Sequence, residues 1–117
     1  HPHARIKRID ASKAAALPGV MGILTSDNAP KIPWYAGKSA LFDKTLRMAG
    51  DEVACVAAIN ERVADDALAL INVEYEILPH VVDTMEAMKP GAPQLHEEEK
   101  NIKGGAPAEY SRGDVAA

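Results

Sequence analysis

The residues able to carry chemistry in this 117-residue chain are four histidines, one cysteine and seventeen carboxylates. His1, His3, His80 and His96 include no pair at the i, i+4 spacing that sets two metal ligands on one helix face. His1-x-His3 would hold a stray ion at most, so no metal site is expected. Cys55 lies in the apolar run Val53-Ala54-Cys55-Val56-Ala57-Ala58, with neither a base nor a cation beside it to make a thiolate. It reads as a small buried apolar residue. As the only cysteine it allows no internal disulfide, which suits a cytoplasmic setting. Phosphate-cradling glycine motifs and a Gly-x-Ser-x-Gly elbow are missing from the sequence. Gly104-Gly105 runs into Ala106-Pro107, which opens no helix for an anion. Of the carboxylates, Glu74 and Glu76 point outward from a strand, while Asp65 and Asp66 lie on the polar face of a helix. A general acid or base needs a pocket that shifts its pKa. The residues themselves therefore name no catalytic, cofactor-binding or metal-binding position.

Composition agrees with a folded domain that does not bind nucleic acid. Apolar residues make up 47% and charged residues 26%, ordinary values for a globular chain. Aromatics are only 4%, so the core should be light. A net charge of −4 opposes phosphate binding, and the one basic cluster, Arg5-Lys7-Arg8, reads as the wet face of a strand. The longest apolar run, Val53 to Ile59, is far below the ~20 residues of a membrane-spanning helix, and no cationic, apolar leader opens the chain.

The elements that would position these residues follow from period and punctuation. Arg5 to Ile9 predicts a strand. Asp10 predicts the cap of a helix over Ala11 to Leu17, ended by Pro18-Gly19. Val20 to Leu24 and Val53 to Ile59 are compact apolar runs that read as strands buried on both faces, Gly22 marking a bulge or a close backbone approach. Thr45-Leu46-Arg47-Met48 alternates, and Gly50-Asp51 turns the chain. Asn60 caps the clearest helix, Glu61 to Ile71, with Val63, Ala64, Ala67, Leu68 and Ile71 on one buried face. Val73, Tyr75 and Ile77 alternate with polar neighbours as a half-buried strand. Asp83-Thr84-Met85-Glu86 resembles a capping box for a short helix stopped by Pro90-Gly91. Beyond Ala92, Glu97-Glu98-Glu99-Lys100 and the glycine pair show no apolar period and predict a loosely held tail. The order implies an α+β domain, a mixed sheet with two main helices and one short helix.

Between these elements lies a long irregular segment, Ser26 to Lys44, with Pro30, Pro33 and the aromatics Trp34, Tyr35 and Phe42. Loops of this length inside a compact domain commonly serve a function or an interface. Two readings stand together: Trp34 and Phe42 cap the edge of the domain's own core, or Trp34, Tyr35 and Phe42 form an interface.

The succession Pro2-His3-Ala4-Arg5-Ile6, Leu17-Pro18-Gly19-Val20, Gly50-Asp51-Glu52-Val53-Ala54, Val73-Glu74-Tyr75-Glu76, Leu78-Pro79, Val82-Asp83 and Gly113-Asp114-Val115 resembles one family in order and spacing. It is similar to the small domain that opens the molybdenum subunit of the xanthine dehydrogenase and aldehyde oxidase family, over nearly the whole chain. Family members commonly carry Gly-Glu-Pro-Val where this chain has Gly50-Asp51-Glu52-Val53, which leaves the subfamily open. The resemblance implies the α/β-hammerhead fold, with a core over residues 1–91 and an extended tail, 92–117, leading toward a molybdopterin-binding domain. It implies a non-catalytic segment of a larger cytoplasmic oxidoreductase that hydroxylates an aldehyde, purine, N-heterocycle or aromatic acyl-CoA with oxygen from water. Molybdopterin-molybdenum, 2Fe-2S clusters and usually FAD would be bound by other domains or subunits, which would be this segment's partners. The other reading is an autonomous protein-interaction or binding module that retains the same fold.

Overall fold

Two strand-helix-strand passages interlock to make the first of two units, His1–Pro79. The computed structural model describes residues 1–34, 39–96, 101–102 and 110–114. In the first passage β1 (Ala4–Asp10) leads through α1 (Ser12–Ala15) to β2 (Val20–Thr25). The short strands β3 (Pro33–Trp34), β4 (Ser39–Ala40) and β5 (Thr45–Leu46) follow. The second passage is β6 (Ala54–Ala58), α2 (Glu61–Ala69) and β7 (Asn72–Ile77). Strand β1 lies antiparallel between β5 and β7, while β2 pairs antiparallel with β6 and β3 with β4. Each passage thus gives one strand to each of two sheets, and both helices pack beside β2 and β6.

Local chemistry explains where the elements start and stop. Asn60 Oδ1 accepts from the Val63 amide at 2.9 Å, the expected cap of α2. At α1 the Ser12 hydroxyl and amide donate to Asp10 Oδ1 at 2.6 and 3.1 Å, which holds the Asp10 carboxyl below its ordinary range. Helix α1 is shorter than expected, four residues rather than Ala11 to Leu17. The Leu17 and Val20 amides turn to i−3 carbonyls there, tightening the chain into Pro18-Gly19. Gly19 has φ +96°, and a Cβ on it would lie 2.9 Å from Ile59 Cδ1 and 3.3 Å from Val63 Cγ1. Only glycine combines that backbone with such closeness to α2. The expected irregularity at Gly22 is a bulge, since the β2–β6 register shifts between Val20 and Gly22.

The core is small, as the scarcity of aromatics implied: among the described residues Ala4, Ile6, Ala14, Leu46 and Ala67 are the buried apolar ones, three of them alanine. His3 is buried beside them. Its Nδ1 lies 2.8 Å from the Pro79 carbonyl oxygen, and its own carbonyl accepts from the Leu78 amide at 3.0 Å.

Three expectations about burial are corrected. Strands β2 and β6 are not covered on both faces: Ile23 and Val56 are half-buried while their neighbours Leu24 and Cys55 are exposed. Cys55 is therefore a surface thiol rather than a core residue. On the expected face of α2 only Ala67 is buried; Val63, Ala64 and Ile71 are half-buried, and Leu68, at the margin of that face, is 44% exposed. In β7, Ile77 is 61% and Tyr75 36% exposed, so of the expected apolar face only Val73 is half-buried; Ile77 is the last residue of the strand, opposite Ala4.

The second unit, His80–Ala117, carries α3 (Thr84–Ala87), with Asp83 Oδ1 accepting from the Glu86 amide at 2.8 Å as the capping-box pattern implies. Lys89 pairs with Glu86 at 2.6 Å, and Gly91 takes φ +83° after Pro90. Asn101 Nδ2 donates to the carbonyls of Ala87 and Pro93 at 2.9 and 3.0 Å. The acidic run Glu97 to Lys100 and the pair Gly104-Gly105 lie outside the described residues.

Candidate functional site

The segment Ser26 to Lys44 is built from turns that β2 launches. Asn28 folds back on the strand end, its Oδ1 accepting from the Thr25 amide at 2.8 Å and its Nδ2 donating to the Ile23 carbonyl at 2.9 Å. The Asp27 amide reaches Thr25 Oγ1 at 3.2 Å. Such side-chain turns use the local preference of Asn and Thr for their own backbone. The Ile32 amide then bonds the Pro30 carbonyl at 2.8 Å, and the Leu41 amide bonds the Ile32 carbonyl at 3.2 Å. Pro33 and Trp34 pair with Ala40 and Ser39. The expected irregular loop thus contains a small hairpin.

Of the aromatic trio, Phe42 is half-buried and lines a cleft of about 540 Å³ with Pro30, Ile32, Pro33 and Ala40. Trp34 lies on β3 by its backbone pairing. Tyr35 lies outside the described residues. Of the charged residues lining the cleft, Asp27, Lys31, Asp43 and Lys44, Lys44 Nζ bonds Asp27 Oδ1 at 2.7 Å, and Asp43 Oδ2 holds Arg47 Nη1 at 2.8 Å. Ser26 Oγ, also on the cleft wall, is buried and has no hydrogen-bond partner among the described residues.

Sequence reasoning missed the clasp that follows this hairpin. Asp43 accepts from the Thr45 amide at 3.1 Å as well as from Arg47, and Arg47 Nη1 also donates to the Thr45 carbonyl at 3.1 Å. Asp51 closes the other side, taking the Arg47 and Met48 amides at 2.5 and 3.1 Å. Partial burial works to raise the Asp43 pKa, but the Arg47 guanidinium and the amides of Thr45 and Lys44 outweigh it and hold the carboxyl below its ordinary range. The spacing Asp43-x-x-x-Arg47-x-x-x-Asp51 was the available signal. Its bonds fix the chain leading into β5, whose Lys44 carbonyl in turn accepts from the Ile6 amide at 2.8 Å.

The cleft brings apolar rings and paired charges together, and among the described residues no group of three His, Cys, Asp or Glu side chains converges as a metal site. Nor is any described helix long and apolar enough to cross a membrane.

Comparison with known proteins gives the family. Residues 1–79 match the model of the aldehyde oxidase and xanthine dehydrogenase a/b hammerhead domain, the same span as the first structural unit. The chain is 44% identical over 117 residues to the probable hypoxanthine oxidase XdhD of Escherichia coli K12, covering 92% of this chain and 12% of that protein. It is 45% identical over 113 residues to the carbon monoxide dehydrogenase large chain of Afipia carboxidovorans, covering 91% of this chain and 14% of that one. Among solved structures, the reconstituted CO dehydrogenase from Oligotropha carboxidovorans matches with a TM-score of 0.69 and 47% identity, over 80% of this chain and 12% of that one. The chain thus spans about an eighth of the length of its relatives. Over residues 1–79, the chain belongs to the a/b hammerhead domain family of aldehyde oxidase and xanthine dehydrogenase.

Proposed function

We propose that this chain is a non-catalytic hammerhead domain in the large subunit of a molybdenum hydroxylase, supporting the cofactor-binding domains of that subunit. The observation that carries the reading is the coincidence of family match and structural unit over residues 1–79, together with 44% identity to a hypoxanthine oxidase of which it covers only 12%. The parent enzyme would be cytoplasmic and would oxidatively hydroxylate an aldehyde, purine, N-heterocycle or aromatic acyl-CoA. Residues 92–117 would lead from a core over 1–91 toward the molybdopterin-binding domain.

The residues present do not fit the family's cofactors. A 2Fe-2S cluster takes four cysteine thiolates, whereas the sequence has one cysteine. A phosphate-bearing group such as molybdopterin or FAD favours an unblocked helix N-terminus. The longest helix, α2, opens instead with the Asn60 cap and the acid Glu61. Molybdopterin-molybdenum, iron-sulfur clusters and FAD are therefore assigned to other domains or subunits, and the Ser26 to Lys44 hairpin, with Trp34, Tyr35 and Phe42, to a subunit contact or the substrate entrance.

The reading frame tests this. Continuation beyond Ala117 into molybdopterin-binding sequence is expected. A start near His1 and a stop near Ala117 would refute it in favour of an autonomous binding module. Purified 117-residue chain should contain neither molybdenum nor a visible chromophore, and stoichiometric metal would overturn the non-catalytic assignment.

A further inference from the structure

The two main sheets of the first unit have opposite outer faces. Across β1 and β7, Arg5 meets Glu76 at 3.7 Å, and Arg8 meets Glu74 at 3.9 Å and Asp10 at 3.6 Å. These partly exposed pairs make a face built for water. Across β2 and β6 the register sets Leu24 opposite Cys55 and Gly22 opposite Ala57, and all four are exposed. The intervening pair, Ile23 and Val56, is half-buried on the other face. The outward face of this sheet therefore bears no ionisable group except the Cys55 thiol. Met21, at the β2 bulge, and Ile59, just past β6, are also exposed, at 74% and 67%.

Small residues at Gly22, Cys55 and Ala57 leave this face flat, so another element can approach the strands closely. An exposed apolar surface on a chain with 26% charged residues marks a contact. Its occupant follows from length. The two relatives named above carry more than four fifths of their chains outside the matched segment, and a covalently joined domain meets its neighbour at high effective concentration.

We propose that the outer face of the β2–β6 sheet, centred on Leu24, Cys55 and Ala57, is the surface on which the remainder of the same large subunit docks. This rests on the reading of the chain as a domain of a longer subunit. Leu24, Cys55 and Ala57 are not among the residues that line the Phe42 cleft.

Cys55 supplies the probe. In the full-length polypeptide encoded by the reading frame, maleimide labelling of Cys55, followed by peptide mass mapping, is compared with labelling of a Lys7→Cys variant on the β1 face. Cys55 is expected to react at least about tenfold more slowly than Cys introduced at position 7, as for a group reached only by local opening. Ala57→Glu, placed beside Cys55 on the same face, should raise the Cys55 rate. Because a nearby carboxylate disfavours the thiolate, such a rise reports lost cover. Asp65→Lys on the polar face of α2 should leave the rate unchanged. Equal labelling at positions 55 and 7, or no response to Ala57→Glu, would overturn the proposal. Protection that disappears on dilution would overturn it in favour of a second copy of the chain. A reading frame ending near Ala117 would instead refute the parent reading itself, so the two failures are distinguishable.

Discussion

Replacing Gly19 by alanine gives a sharp test of how the two passages are joined. The substitution meets two separate penalties. An L-residue held at φ +96° occupies sparsely allowed backbone space, at a cost of about 1–3 kcal/mol. The added Cβ would also come within 2.9 Å of Ile59 Cδ1 and 3.3 Å of Val63 Cγ1. Ile59 is largely exposed and can swing aside, so the backbone should dominate. A loss near 2 kcal/mol, at a urea slope of about 2 kcal/mol per molar, moves the denaturation midpoint down by about 1 M. Gly22→Ala is the control: its Cβ would meet nothing within 4 Å and its φ is not positive, so its midpoint should stay within about 0.3 M of the parent chain, less than ~1 kcal/mol of change. Adding Ile59→Ala to Gly19→Ala removes the closest contact but not the backbone strain, and should recover only a minor part of the loss. Equal midpoints for Gly19→Ala and Gly22→Ala would refute the reasoning, and full recovery in the double variant would show that crowding, not φ, sets the glycine requirement.

On α2, Ala67→Leu should lower stability by about 1–3 kcal/mol through overpacking, whereas Leu68→Ala at a 44% exposed site should cost less than ~1 kcal/mol; denaturant titration of both variants checks the order. Asn60→Ala should cost about 1 kcal/mol by removing the cap on the Val63 amide, and loss of helical circular dichroism at lower urea is the readout. Because the folded pKa of Asp43 is depressed, its contribution is present above the ordinary carboxylate value of 3.8 and is lost as pH falls through the lower folded value. Asp43→Asn should therefore destabilise the chain at neutral pH and converge with the parent in acid, measured as midpoint against pH. Trp34 is the only tryptophan, and its emission should be red-shifted and quencher-accessible in the 117-residue chain and blue-shifted in the full-length subunit. Blue, protected emission in the dilute chain would remove the interface reading of the hairpin.

The helices and strands bounded by local signals were legible without coordinates. Asn60 and Asp83 cap where their side chains predict, because an Asx cap bonds an amide three residues away and needs no tertiary partner. Most strand positions, the α+β class and the hammerhead resemblance were also readable. Burial along β2 and β6 was not. A continuous apolar run looks the same whether its second face meets the domain's own core or is left open, so Cys55 and Leu24 read as interior residues. The pairing of β3 with β4 was hidden for another reason. It spans only two residues per strand and includes Pro33, leaving no period to detect. The clasp of Asp43, Arg47 and Asp51 depends on backbone amides, to which hydrophobic patterning is blind.

The junction at His3 has a consequence for how such a domain is handled by a longer chain. The buried ring meets the Pro79 carbonyl at 2.8 Å, and the Leu78 amide returns the bond to the His3 carbonyl. The two ends of the family-matched span, residues 1–79, thus lie side by side. A module with adjacent ends can be spliced into a host without spreading the host's flanks. The same adjacency suits circular permutation: a short linker from Pro79 back to His1 should preserve both β1–β7 and β2–β6, provided the new termini are opened outside the turn that Asp51 closes on Arg47 and Met48.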